Sequence, residues 1–477
     1  MSEQTEIRRE KLAILKKEGK DPFEITSYKR ESYSLDIINN FDELDGKETS
    51  IAGRLMSKRL MGKAAFSDVQ DSKGRLQIFV SKKELGEEAF EDYKDLDIGD
   101  IVGVIGSVMR TKTGETSLRA SEIVLLAKCL QVLPEKFHGL RDQEARYRRR
   151  YEDLIVNPET RAVFEKRAAI INAIRAFLNE RGFLEVETPV LNTIADGASA
   201  RPFITKHNAL DLEMRLRIAL ELPLKRLLVG GFDKVYELGR VFRNEGMSVR
   251  HNPEFTMLEL YEAYTDYKGM TELCEELIRR CAKAALFENS QELDFSKPFE
   301  RITMEEAVKK YVNVDFANLN QNEALNLAKE KGFEIQNWHT KGHILELLFE
   351  RYVEKELISP TFVFDYPIEI SPLTKQKPDR SDLTERFELF IMGQEIANAY
   401  SELNDPDEQR SRFMAQEKAR RAGNEEAAPP DEDFLLALEY ALPPTGGMGI
   451  GIDRLVTLLT GVSSIRDVLL FPTMKPI

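Results

Sequence analysis

At 477 residues the chain has room for two or three domains and a sizeable core. With 42% hydrophobic and 31% charged residues it is neither a disordered nor a collagen-like chain, and no apolar run approaches the ~20 residues that span a bilayer. Its net charge of −14 argues against a uniformly nucleic-acid-binding surface. The amino terminus has no apolar signal region. Cys129, Cys274 and Cys281 are too few for a disulfide framework and lack zinc-ligand spacing, so a cytoplasmic location is expected.

In chain order, residues 6–17 read as a short amphipathic helix stopped by Gly19 and Pro22, within an amino-terminal helical segment 1–48. Between Thr49 and about Leu130 the pattern turns to five strands: Ile51–Met56, Ala65–Val69, Leu76–Val80, Ile101–Gly106 and Ser121–Leu126. An acidic helical piece, Glu84 to Asp95, follows the third. That order is the order of an OB-fold, placed at 49–133. Between Ile51 and Lys83, eight basic residues face only Asp68 and Asp71, a local surface suited to phosphates inside an acidic chain. A second basic cluster, Arg141 to Arg150, lies in a charged linker over 134–157.

A long helix is expected from Pro158 to Glu180, with Val163, Ile170, Ile171, Ile174, Phe177 and Leu178 at helical spacing and Gly182 as its stop. A strand over Phe183–Thr188 follows, halted by Pro189. Val235–Gly239 and Leu258–Tyr261 flank a polar loop and read as a hairpin. Its loop and walls carry Arg243, Glu245, Arg250, His251 and Phe255. That set can neutralise a phosphate, accept a bond from an exocyclic amine and stack on a planar base. Residues 266–360 are Lys/Glu-rich and helical, and read as an insertion. Strand signals return at Phe387, where a turn at Gly393 could bring Glu388 near Glu395, two carboxylates of the kind that hold Mg²⁺ on a triphosphate. Finally Gly446–Arg454 is glycine-rich and fits neither a dinucleotide nor a P-loop motif. It puts Arg454 at a helix start, where guanidinium and dipole together suit a polyphosphate.

Three strings then carry a family resemblance. Phe183-Leu-Glu-Val-Glu-Thr-Pro, Arg240-Val-Phe-Arg-Asn-Glu and Gly449-Ile-Gly-Ile-Asp-Arg resemble motifs 1, 2 and 3 of class II aminoacyl-tRNA synthetases, in the right order. Ala200-Arg-Pro-Phe-Ile-Thr, Arg250-His-Asn-Pro-Glu-Phe-Thr-Met and Ser401-Glu-Leu-Asn-Asp-Pro resemble the bacterial type of class II lysyl-tRNA synthetase, over essentially the whole chain. The sequence departs from the family at Asp196, before Gly197, and at Pro223.

The resemblance implies an α+β multidomain protein, an OB-fold barrel plus a class II antiparallel sheet surrounded by helices over 158–477. It implies lysine, ATP and tRNA(Lys) as substrates, Mg²⁺ as cofactor, and a homodimer built around the 158–180 helix and the strand ending at Pro189. Arg243 and Arg454 are then the catalytic arginines, on the α- and γ-phosphates, while Glu245, His251 and Phe255 complete the ATP site and Glu388 and Glu395 hold the metal. Gly197, Glu221, Arg243, Tyr261, Asn398 and Glu402 would bind lysine, with Glu402 on the ε-ammonium. In the barrel, Arg59, Phe66, Gln77 and Glu115 would read the anticodon, the lesser alternative being that Phe66 is barrel core. Aspartyl- and asparaginyl-tRNA synthetases and a protein-lysylating ligase remain the rival readings.

Overall fold

The computed structural model describes residues 3–134, 142–194, 200–291, 293–421 and 430–476. The chain divides into two compact units, Met1–Arg141 and Asp142–Ile477.

In the first unit five strands close a barrel in the order β1-β2-β3-β5-β4: β1 (Glu48–Met61), β2 (Ala64–Gln70), β3 (Arg75–Ser81), β4 (Ile101–Arg110) and β5 (Thr116–Ala127). Alternation drives it. Along β2, Ala65, Ser67 and Val69 are buried while the residues between them face outward. The helices Lys82–Leu85 and Glu87–Asp95 follow β3, and the second buries Phe90 and Tyr93 in the barrel core. The last strand begins five residues earlier than its apolar run, because Thr116 to Ala120 pair with β4 through backbone bonds that no side-chain pattern advertises. The Glu3–Lys17 helix is tied to this unit by Arg8, whose guanidinium donates to the carbonyls of Cys129 and Gln131 at 3.0 and 2.7 Å.

The second unit is built on an eight-stranded, mainly antiparallel sheet. Its strands are β6 (Leu184–Glu185), β10 (Lys234–Phe242), β11 (Glu254–Ala263), β12 (Glu300–Thr303), β13 (Thr361–Phe364), β14 (Arg386–Ile391), β15 (Gln394–Ser401) and β16 (Thr445–Gly451), in the order β12-β13-β14-β15-β16-β11-β10-β6. A small sheet of β7 (Leu191–Asn192), β9 (Leu212–Leu216) and β8 (Ile204–His207) stands apart from it. The expected hairpin is β10 and β11, in unbroken register from Lys234↔Glu262 to Phe242↔Glu254.

Three expectations need correction. The strand over 183–188 shrinks to β6, two residues paired in parallel with Val235 and Tyr236. Beyond it Thr188 donates to the buried Glu237 carboxylate, and that side-chain bond replaces the ladder. Secondly, the 266–360 stretch is no single insertion. The Tyr267–Ala284 helix buries Met270, Cys274, Leu277, Ile278 and Cys281 against the central sheet, and β12 and β13 extend that sheet. A separate apolar core gathers only Met304 to Leu357, against Val363, Tyr366 and Phe390.

Thirdly, the apolar stripe of the Pro158–Glu180 helix does not look outward. Ile170, Ile174, Phe177 and Leu178 are buried within their own unit, beside the Tyr267–Ala284 helix. The stripe is therefore a stability element of its own unit. Truncating fully buried Ile174 to Ala should cost about 2–5 kcal/mol. Chemical denaturation should show this loss while sedimentation shows the association state unchanged.

Candidate functional site

Strand register assembles the site. Across the sheet, Glu388 pairs with Asn398, Asn398 with Gly449, and Gly449 with Glu259; one row over, Arg386, Tyr400, Gly447 and Tyr261 line up in the same way. Residues level with one another share a face. Side chains thus rise on both sides of β16, whose own positions on that face are Gly447, Gly449 and Gly451. Met448 and Ile450, on the other face, belong to the core. The trough is a cavity of about 470 Å³.

One wall is the hairpin. Its loop is pinned by Arg243 N donating to Pro253 O at 2.8 Å and Ser248 N to His251 O at 3.0 Å. Arg243, Glu245, His251 and Phe255 all reach the cavity, and the Arg243 guanidinium lies 5.3 Å from the Phe255 ring centre. Opposite stands Arg454, in the first turn of the Ile452–Thr460 helix, 3.0 Å from Glu395 and 3.4 Å from His251 Nε2. Partial burial and the Arg454 charge lower the His251 pKa, keeping that imidazole neutral. Asp453 orients this turn: it accepts from Thr256 N at 2.9 Å and pairs with Arg167 at 2.6 Å.

Glu388 and Glu395 flank the Gly393 turn, where φ is +66°, with Glu388 level with Asn398 and Glu395 with Phe390. Both line an adjoining cavity of about 390 Å³, together with Arg250 and with Glu346, Glu350 and Glu354. Glu388 accepts from Tyr366 at 2.9 Å and Arg386 at 2.6 Å. Burial pushes its pKa up to about 7; Arg386 opposes the shift and the Glu395 charge adds to it.

The inner end of the main cavity is acidic. Glu221, Glu259 and Glu402 are all buried, and burial pushes Glu259 up to about 7, aided by Glu221. Tyr261 donates to Glu259 at 3.1 Å and Tyr400 to Glu221 at 2.7 Å. Glu402 does not line the cavity wall. It lies behind Gly447 and Tyr261, in ion contact with buried Lys225. Gly197 lies outside the described residues. Pro223 falls in the first turn of the Glu221–Val229 helix, where a missing N–H costs nothing.

On the barrel, register sets Arg59, Phe66, Phe79 and Arg119 in one row. Phe66 is half-buried, 5.2 Å from Phe79 ring to ring, and does not belong to the barrel core. Gln77 donates to Glu115 at 3.2 Å and accepts from Ser117 at 3.0 Å.

Two family models match this layout: tRNA synthetases class II (D, K and N) over residues 142–475, and the OB-fold nucleic acid binding domain over residues 49–126. The chain belongs to the class II tRNA synthetases. It is 56% identical over 482 residues to a lysine–tRNA ligase of Thermoanaerobacter pseudethanolicus, covering 100% of this chain and 97% of the relative. Lysine–tRNA ligases of Clostridium acetobutylicum and Clostridium novyi are 54% and 55% identical, covering 100% and 98% of this chain and 94% of each relative.

Four elements of this synthetase site escaped the sequence reading. Glu259 carried a signal, a lone carboxylate inside the apolar run of β11. Tyr400, Arg386 and Lys225 carried none, because only the register of β14–β15 and the turn of the Glu221–Val229 helix bring them in. For a metal, no cluster of three or more His, Cys, Asp or Glu forms a cage among the described residues. The raised Glu388 beside Glu395 does fit a cation whose remaining ligands are phosphate oxygens and water. Among the described residues no helix is long and apolar enough to cross a membrane.

Proposed function

We propose that this synthetase is a lysine–tRNA ligase, converting L-lysine and ATP to lysyl-adenylate and pyrophosphate and then transferring the lysyl group to the 3′ end of tRNA(Lys). One observation carries the reading: two buried carboxylates, Glu221 and Glu259, line the inner end of a cavity whose mouth is lined by arginines, and a third, Glu402, is buried behind Gly447 at its floor. Such a pocket attracts a long cation and repels aspartate, while asparagine would leave its charges unpaired. The full-length likeness to relatives bearing that name agrees with it.

In this reading the nucleophile is the substrate's own carboxylate, so the chain supplies position and charge. Arg243 bridges that carboxylate and the α-phosphate, with Asn398 on the carboxylate. Phe255 stacks under adenine, Glu245 accepts from its amine, and neutral His251 lies by the phosphates with Arg454 on the γ-phosphate. Glu388 and Glu395 would hold Mg²⁺, which would supply positive charge beside the phosphate oxygens. Gly197 and Glu221 take the α-ammonium, and Glu402, supported by Tyr261, takes the ε-ammonium. The platform of Phe66, with Arg59, Gln77 and Glu115, reads the anticodon. The free thiols Cys129, Cys274 and Cys281 suit a reducing cytoplasm.

ATP–pyrophosphate exchange should depend on lysine and not on aspartate or asparagine. Glu402→Gln should raise the lysine KM at least thirtyfold, since breaking a buried charge pair costs about 2–5 kcal/mol, while leaving the ATP KM near its parental value. Equal exchange by parent and variant would remove Glu402 from the pocket.

Phe66→Ala should lower aminoacylation by about 5- to 150-fold, the worth of one stacked base at ~1–3 kcal/mol, with amino-acid activation unaltered. A parallel fall in both assays would assign Phe66 to stability instead.

A homodimer is also proposed, seated on segments that follow the Pro158–Glu180 helix rather than on the helix. Leu184, Val190, Leu191, Ile194, Ile204 and Leu212 are all at least 38% exposed there, a density of apolar surface that monomers rarely leave open. The protein should sediment at twice 54.7 kDa, and Leu191→Arg with Ile204→Asp should shift it to a monomer. A parent that is fully active as a monomer at micromolar concentration rules the dimer out.

A further inference from the structure

Among the described residues Lys225 is the one cation in contact with Glu221 and Glu402, and its side chain is wholly buried. It projects from the second turn of the Glu221–Val229 helix, one turn beyond Glu221, so Nζ meets Glu221 Oε1 at 2.5 Å. The same Nζ contacts Glu402 Oε2. Three rings enclose it: Tyr400 at 5.6 Å, Phe434 at 5.9 Å and Tyr261 at 6.0 Å. Each element packed around the ammonium contributes: the Glu221–Val229 helix Glu221, β11 Glu259 and Tyr261, β15 Tyr400, the segment after it Glu402, and the Glu432–Glu439 helix an uncharged ring.

A buried ammonium inside the proposed substrate pocket demands a reason. Glu402 has no hydrogen-bond partner for Oε1 among the described residues. A Cβ at position 447 would collide with that oxygen and come within 2.5 Å of the Tyr261 ring, so only glycine there leaves it room beneath the cavity floor. Three carboxylates and one resident ammonium leave two negative charges, and Arg243 at the mouth is free to balance a carboxylate. A diamino acid supplies two ammoniums and one carboxylate, which is the complement.

We propose that Lys225 is the resident counter-cation of the amino-acid pocket, pairing with Glu221 and Glu402 while the pocket is empty and setting its demand at two ammonium groups. This rests on the reading of the cavity as the lysine site. Lys225 is a specificity-determining residue that touches the two carboxylates and not the reacting atoms. Burial opposes its charge, but Glu221 and Glu402 outweigh burial and raise its pKa. Glu402 itself is pushed well up by burial, with Lys225 opposing and Glu221 adding. Without Lys225 nothing would oppose the burial that pushes Glu402 up, and protonation would weaken its pull on a cation.

Lysine-dependent pyrophosphate exchange across pH 6–9 tests this. In the parent, lysine KM should fall as pH rises through about 7, because burial holds Glu259 near that value and an ammonium binds only its ionised form. In Lys225→Met, lysine KM at pH 7 should rise at least tenfold, recover toward the parental value above pH 8, and leave ATP KM within twofold. In Lys225→Ala, propylammonium should restore exchange and 1-propanol, of the same size but neutral, should not. No lysine-dependent exchange in the parent would overturn the reading of the site itself. Parental exchange with an unchanged or lower lysine KM in Lys225→Met, or equal rescue by the alcohol, would overturn the role of Lys225 alone. Both variants insoluble even with propylammonium would make Lys225 a folding ion, which also overturns it.

Discussion

The site depends on strand β16 having no side chains on one face. Gly447, Gly449 and Gly451 alternate with Met448 and Ile450, so the strand buries one face in the core and leaves the other bare between β11 and β15. Neighbouring strands lie ~4.8 Å apart, and a bare central strand therefore opens a trough about two strand spacings wide. Tyr261 and Glu259 form one bank of it, Tyr400 and Asn398 the other. A single Cβ at 447 would meet the Tyr261 ring at 2.5 Å, which closes the trough at its acidic end.

What the trough holds is charge that water cannot reach. A buried carboxylate without a partner is costly, and proteins relieve the cost by protonation or by a counter-ion. Both remedies are visible here. Glu388 and Glu259 are pushed up to about 7, while Arg386, Tyr366 and Lys225 supply partners. A site arranged in this way binds cationic groups strongly, because their arrival satisfies charges that folding left under strain. The two carboxylate groupings also lie at different ends of the cavity, one toward Arg454 and one toward the pocket floor.

The barrel solves a different problem. A chain of net charge −14 repels polyanions at long range, yet salt screens such repulsion beyond ~8–10 Å. Within that distance the row Arg59, Phe66, Phe79, Arg119 offers two cations flanking two rings. Stacking surface and local charge suffice for single-stranded bases.

Much of this was legible in the sequence because it depends on local pattern. Period-two alternation located the five barrel strands and the β10–β11 hairpin, and 3.6-residue periodicity gave the Pro158–Glu180 helix its limits. The order of three short motifs put Arg243 and Arg454 in one expected site before any coordinates, and a carboxylate pair about the Gly393 turn added Glu388 and Glu395. Periodicity reports that a face is buried but not what buries it, so the stripe of Ile170 and Ile174 was read as an interface and proved to be core. For the same reason the Tyr267–Ala284 helix was read as an excursion, although it underlies the central sheet. Register is the other quantity a sequence does not fix. Whether Glu402 faces a substrate or an internal lysine depends on which residues of distant strands and helices fall level with it. Lys225 lies 177 positions away along the chain, and only the folded sheet decides that the two charges touch.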